Sequence, residues 1–173
     1  MESGVLTATE YNASVRQFHE AIQREYTADV WKIESVGNSP TLELVCYTSR
    51  GGTSTASSPA RLEYRTVYND AYAVPVLLFR GSFHDGSQVP ISYFWQCFSK
   101  RADRQNQAQQ EMWSVVSQTE HRPSGVPYFM LHPCRTRELM TTVNPPDVLS
   151  YIKFWLSFIA RYFDIYVPPS ITT

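Results

Sequence analysis

Cysteine is scarce in this chain, and the few present follow no pattern: Cys46, Cys97 and Cys134 are the 3 cysteines among 173 residues. An odd, widely spaced set argues against a disulfide framework and contains no C-x-x-C pair for a zinc site. An excess of one charge is missing too. Lys and Arg number 15 against 16 Asp and Glu, for a net charge of -1, so no general positive field exists to gather nucleic acid or anionic lipid. Partners must be recognised locally. Long apolar runs are lacking as well: VLSYIKFWLSFIARYFDIYVPP, residues 148–169, is broken by Lys153, Arg161 and Asp164, which leaves no uncharged run of the roughly 20 residues a spanning helix needs.

The opening MESGVLTATEY has neither the basic start nor the apolar run of a secretory signal. Nor is there a G-x-x-x-x-G-K-[ST] phosphate loop. SRGGTSTASSPAR, residues 49–61, is glycine- and serine-rich with little to bury, and reads as a mobile loop. The expectation is one soluble, cytoplasmic domain over 1–173 with free thiols, a mobile loop near 50–60, a short C-terminal tail, and no bound nucleotide or metal. A chain of this length buries about 70% of its extended surface, enough for one substantial core.

Aromatic residues are plentiful at 14%, with Tyr 11, Phe 9 and Trp 4. They suit a core and a protein-binding face equally. Thr7 with Glu10 makes a capping box ahead of Tyr11, Val15, Phe18, Ile22 and Tyr26, which predicts an amphipathic helix of about four turns. VWKIESVG and TLELVCYT, joined by GNSP, read as a hairpin, with Glu34 and Glu43 on a wet face. LEYRTVYND and YAVPVLLFRG, turning at Asn69 and Asp70, extend it to an antiparallel meander, with Pro75 at a strand start or bulge.

A turn at Asp85 and Gly86 follows, and MWSVVSQTEH permits a helix that HRPSGVP breaks. Tyr128 to Leu131 form a short strand or extended segment leading into His132, Pro133 and Cys134. The final helix starts near Pro145 or Pro146 and buries Val148, Ile152, Trp155, Ile159 and Phe163, broadened by Leu149, Leu156 and Tyr162. The fold class is α+β, an antiparallel meander sheet flanked by helices.

Cys46 in LVCY and Cys97 in FWQCF sit among apolar neighbours and read as structural. Cys134 differs, because Arg135 and Arg137 follow it and positive charge favours a thiolate. A helical turn beginning after Pro133 would add unpaired backbone donors. A small buried hydrophobe, a redox sensor and a nucleophile all remain open for it on these grounds. His132 either reaches toward the thiol or anchors the loop by donating to a backbone carbonyl. A hydrolase would need an imidazole relay and an oxyanion site. His19, His84 and His121 make no compact metal motif with Cys134.

YNDAYAVPVLLFRG, HRPSGVPYFMLHPCRT and LSYIKFWLSFIARYF together resemble the ubiquitin-like-conjugating enzymes of autophagy, specifically the autophagy-related protein ten family, over roughly residues 10–167. The H-P-C-x-T segment is the most specific part of the likeness. The resemblance implies a ubiquitin-conjugating-enzyme-like fold. It also implies that Cys134 receives the autophagy-related protein twelve modifier from the activating enzyme, autophagy-related protein seven, and passes it to a lysine of autophagy-related protein five. It permits contact with autophagy-related protein eight and implies recruitment to the site of autophagosome formation. The sibling that lipidates protein eight shares His-Pro-Cys but carries a long insertion for which this chain lacks room.

Ordinary ubiquitin-conjugating enzymes have His-Pro-Asn ahead of the cysteine, whereas here the cysteine itself stands third. The likeness therefore leaves the oxyanion donor to be found among His132, Tyr72, Tyr68 and Asn69. Thr136 would cap the turn. The strands around Leu62 to Tyr68 and Val76 to Phe79 are the expected acceptor-facing surface, and the loops near 80–95 and 110–125 the expected contacts for activating enzyme and modifier. The rival reading is a noncatalytic protein-interaction domain of the same fold with a structural cysteine.

Overall fold

A computed structural model describes residues 4–25, 30–48, 61–95, 116–163, 165–168 and 171. The expected mobile loop at 49–60, Cys97, and the start of the helix expected before His121 lie outside the described residues.

The capping box forms as expected. The Thr7 amide donates to Glu10 Oε2 at 2.7 Å and the Glu10 amide to Thr7 Oγ1 at 3.2 Å, starting helix α1 (Ala8–Glu25), which buries Tyr11, Val15, Phe18 and Ile22. Strands β1 (Trp31–Ser35), β2 (Leu42–Thr48), β3 (Arg61–Asn69) and β4 (Val74–Ser82) form the antiparallel meander. Pro75 is the second residue of β4, opposite Tyr68. Asn12 fastens α1 to the first hairpin: its amide donates to the Pro40 carbonyl at 2.9 Å and its oxygen accepts from the Leu42 amide at 2.8 Å.

The helix expected over MWSVVSQTEH is replaced, in its described part, by strand β5 (Val116–His121), which pairs antiparallel with β6 (Val126–Leu131). Gly125, at φ +67°, sits in the turn between them. The six-stranded order is β1-β2-β3-β4-β6-β5. After the sheet come a 3-10 turn (Pro133–Arg135), α2 (Thr136–Val143) and α3 (Tyr151–Ala160).

Helix α3 begins later than the two prolines suggest: Asp147 accepts from the Ser150 amide at 2.8 Å, forming a turn ahead of the helix. Of its expected core stripe, Ile152, Trp155, Ile159 and Phe163 are buried, but Val148 is half-buried and Leu149 is 43% exposed. Ser14 joins α1 to this region, donating to the Leu149 carbonyl at 2.8 Å and accepting from the Ile152 amide at 2.9 Å. Within the expected C-terminal tail, Pro168 and Ile171 are buried.

Side chains alternate across the sheet. Leu44, Cys46, Leu62, Tyr64, Leu77, Phe79 and Leu131 join the core formed with the helices. The opposite face is not simply wet. β6 pairs with β4 only through Phe129, Met130 and Leu131, and the rest of the β5–β6 hairpin reaches over the outer face of the sheet. Val76, Leu78 and Tyr128 make a second, smaller core there.

Beneath that hairpin lie charges that the sequence pattern assigns to solvent. Glu43 is 6% and Glu63 5% exposed. Arg65 bonds Glu34 and Glu43 through Nη1 and Glu63 through Nε, each at 2.7 Å. Arg80 also pairs with Glu63 at 2.7 Å, the Tyr128 hydroxyl donates to Glu63 at 2.8 Å, and His121 Nε2 meets Glu43 at 2.7 Å. Burial alone would raise the Glu63 pKa, but bonds from Tyr128, Arg80 and Arg65 outweigh it and hold the carboxyl below its ordinary range. Tyr128 is pushed up to about 12 by burial and by Glu63.

Candidate active site

The register of β6 decides where Cys134 stands. Leu131 is buried opposite Leu77, so the strand ends against β4. Pro133 then fixes φ and starts the 3-10 turn at a position where its missing N–H costs nothing. Pro133 is buried and Cys134 is exposed. The Thr136 amide closes the turn on the Pro133 carbonyl, and α2 continues from there, anchored by Met140 at 0% exposure. Arg135 pairs with Glu138 at 2.9 Å.

Cys46 provides the contrast. It is wholly buried in β2, and burial pushes its thiol up to about 12, which removes it as a nucleophile at neutral pH. Cys134 is the exposed thiol among the described residues.

His132 is extended, at φ -63° and ψ 136°, and its Nδ1 accepts the Cys134 amide at 3.1 Å. It therefore anchors the turn as an acceptor, where donation to a carbonyl was expected. Its ring meets Tyr72 edge to face, with centroids 5.5 Å apart and planes at 83°. Tyr72 comes from the β3–β4 hairpin, which the Leu77–Leu131 pairing brings beside the turn. Asn69 shapes that hairpin by accepting the Tyr72 amide at 3.0 Å, and Ala73 takes a left-handed φ of 54°. Cys134, His132, Tyr72 and Asn69 are thus linked contact by contact. Tyr68 faces elsewhere: its hydroxyl donates to the Leu6 carbonyl at 2.6 Å, and its ring packs 5.3 Å from Tyr11. Burial, with Asp70 and Glu10 nearby, raises its pKa.

One element of this arrangement has no signal in the sequence. Residues 4–6 strap the two sides of the site together. The Leu6 amide donates to the Ala73 carbonyl at 2.8 Å, and the Tyr151 hydroxyl donates to the Gly4 carbonyl at 2.8 Å. Gly4, at φ +62°, lies so close to α2 that an added Cβ would sit 2.4 Å from the Arg137 carbonyl oxygen and 2.5 Å from Thr141 Oγ1. The hairpin carrying Tyr72 and the helix that follows Cys134 are therefore joined by the same short segment. Its one legible feature was the capping box immediately after it.

The surface expected to face an acceptor is largely covered. Leu62, Tyr64, Thr66 and Val76 to Phe79 are buried, because the helices cover one face and the β5–β6 hairpin much of the other. Beside that hairpin a groove of about 630 Å³ stays open, with Val67, Val76, Leu78 and Met130 among its lining and Asp70 and Glu120 among its polar residues. No group of three or more metal-ligating side chains exists among the described residues, and no described helix is long and apolar enough to cross a membrane.

Comparison with known proteins gives the family and the fold. Residues 8–170 match the family described as autophagocytosis associated protein, active-site domain. The chain is 35% identical over 127 residues to the human ubiquitin-like-conjugating enzyme ATG10, covering 68% of this chain and 55% of that protein. It is 28% identical over 120 residues to the Dictyostelium discoideum protein of the same name, with 61% and 51% covered. Against the Arabidopsis thaliana protein of that name the identity is 23% over 114 residues, with 61% and 50% covered. The chain spans about half the length of the curated relatives it matches. A crystal structure of autophagic E2, Atg10, superposes with a TM-score of 0.52 at 14% identity, over 89% of this chain and 93% of that one. This last likeness establishes the shared fold.

Proposed function

The chain belongs to the autophagocytosis-associated active-site domain family and sides with its ATG10 conjugating enzymes, and from that premise we propose that it is an E2-like transferase carrying a ubiquitin-like modifier as a thioester on Cys134. The modifier is autophagy-related protein twelve, received from the activating enzyme autophagy-related protein seven, and the acceptor is a lysine of autophagy-related protein five. The observation that carries the reading is the exposed Cys134 at the turn between β6 and α2, held by a buried proline and a histidine cap.

In the first step the Cys134 sulfur attacks the activating enzyme's thioester. A new C–S bond forms, and the upstream thiolate leaves. In the second step the acceptor amine attacks the same carbonyl carbon, the carbonyl electrons move to oxygen, the nitrogen gives up a proton to solvent, and collapse expels Cys134 as a thiolate, leaving an amide. The amine must be unprotonated although lysine has a pKa of about 10.4 in water, so orientation and desolvation at the site have to assist. No metal or nucleotide takes part on this chain; ATP is consumed upstream.

The test is to incubate the protein with activating enzyme, modifier and ATP. A reducing-agent-sensitive adduct is expected on the native chain. The Cys134→Ser form should carry none or a reduction-resistant oxyester. No native adduct, under conditions that charge a control conjugating enzyme, would favour the noncatalytic interaction domain.

A further inference from the structure

Transfer from a thioester puts negative charge on the carbonyl oxygen, and a donor must meet it. Resting on the acyl-transfer reading above, we infer that this donor is His132 through Nε2–H, and that His132 is not the base that deprotonates the acceptor lysine. An amide N–H only donates, so the 3.1 Å contact requires His132 Nδ1 to accept the Cys134 amide. A neutral imidazole that accepts at one nitrogen carries its proton on the other. Nε2 is therefore the donor, and protonating Nδ1 would cost the bond that holds the turn.

Of the other candidates only the Tyr68 hydroxyl is committed as a donor, while Tyr72 and Asn69 stand one and two contacts further from Cys134 than His132 does. The Tyr68 hydroxyl is spent on the Leu6 carbonyl at 2.6 Å. Asn69 uses its oxygen to close the hairpin on the Tyr72 amide at 3.0 Å. Tyr72 is the brace, its ring edge to face with the imidazole at 5.5 Å, which fixes the ring that presents Nε2. Nε2 has no hydrogen-bond partner among the described residues. The ring is tied to the amide of the very residue that bears the acyl group.

In the transfer step the acceptor nitrogen bonds to the carbonyl carbon while the oxygen gains the electron pair and is met by Nε2–H. The C–O double bond re-forms as the C–S bond breaks. The amine proton leaves to solvent or another group, and His132 ends as it began.

Three variants separate the roles. His132→Asp keeps an acceptor suited to capping the Cys134 amide but loses the donor; His132→Asn keeps both; His132→Ala loses both. Each form is charged with modifier, freed from the activating enzyme, and its single-turnover discharge is followed with the acceptor protein and with hydroxylamine. Hydroxylamine is already unprotonated near neutrality and needs no base.

Discharge of the Asp form should slow by roughly 10²-fold toward both nucleophiles, while the Asn form stays within about tenfold of native. A loss confined to the acceptor lysine would make His132 a base and overturn the inference, as would an Asp form discharging hydroxylamine at the native rate. If the Asp form does not fold by its melting curve, the Ala and Asn forms decide: equal loss in both overturns the inference, and retention in Asn alone supports it. A native chain that never charges refutes the transferase reading itself, an outcome distinct from any of these.

Discussion

The Tyr68 hydroxyl donates to the Leu6 carbonyl at 2.6 Å, and that bond ties the N-terminal strap to β3, in the same hairpin whose turn carries Tyr72. Tyr68→Phe removes the donor and leaves a carbonyl unpaired on a residue that is 1% exposed. The expected cost is about 1–2 kcal/mol, read in calorimetry as a fall in Tm of about 2–8 °C. Thioester formation on Cys134 should persist. A variant that melts like the native chain yet fails to transfer would instead put this hydroxyl at the reacting atoms.

Gly4 and Gly37 offer a matched pair for testing the strap. Both have left-handed backbones, at φ +62° and +57°, but a Cβ at Gly37 would meet nothing within 4 Å whereas one at Gly4 would meet Arg137 and Thr141 of α2. Gly37→Ala should therefore cost only the backbone penalty, about 1–2 kcal/mol. Gly4→Ala should cost more, by roughly another 1–3 kcal/mol as strap and helix are forced apart, and should slow discharge from Cys134. Equal melting temperatures for the two would show that the strap does not bear on α2.

Much of this architecture is local and so was legible. The capping box, the hairpin turns, the two-residue alternation and the stripe on α3 each follow from neighbours a few positions apart. Cys134 stood out because a proline before it and arginines after it set it apart from Cys46 and Cys97. The β5 segment misled because VSQTEH mixes helix-forming Gln and Glu with few apolar residues, and its strand geometry is imposed by pairing with β6. Burial of Glu43 and Glu63 was illegible for a related reason: their strand pattern is the ordinary one for a wet face, and the hairpin that covers them comes from residues more than fifty positions later. Direct contact between Tyr72 and His132 likewise depends on β4 lying beside β6, a pairing across the sheet that no motif announces.

Arg65 concentrates the risk created by that covered face. Its guanidinium serves Glu34, Glu43 and Glu63 at 2.7 Å each. Arg65→Met would leave two buried carboxylates and one half-exposed one facing each other, and should destabilise by about 3–5 kcal/mol in urea unfolding. Arg65→Lys should fall between native and Met, since one ammonium lacks the planar fork that reaches several carboxylates at once. A Met variant as stable as the native chain would mean that apolar burial there offsets the lost pairs.

Glu63 gives the same network a pH dependence whose sign is determined. Its folded pKa lies below the ordinary value, because bonds from Tyr128, Arg80 and Arg65 prevail over burial. The unfolded chain therefore binds the proton more readily, and stability rises with pH through this window. The contribution is fully present above the unfolded glutamate value of about 4.3 and is lost as pH falls through the lower folded value. Glu63→Gln abolishes the titration, so the stability gap between native and variant chains should be largest near neutrality and close progressively below about pH 4. Urea unfolding of both chains at several pH values down to acid measures that gap directly. A gap that widens on acidification would reverse the sign and place the unfavourable cost of burial above the three hydrogen bonds.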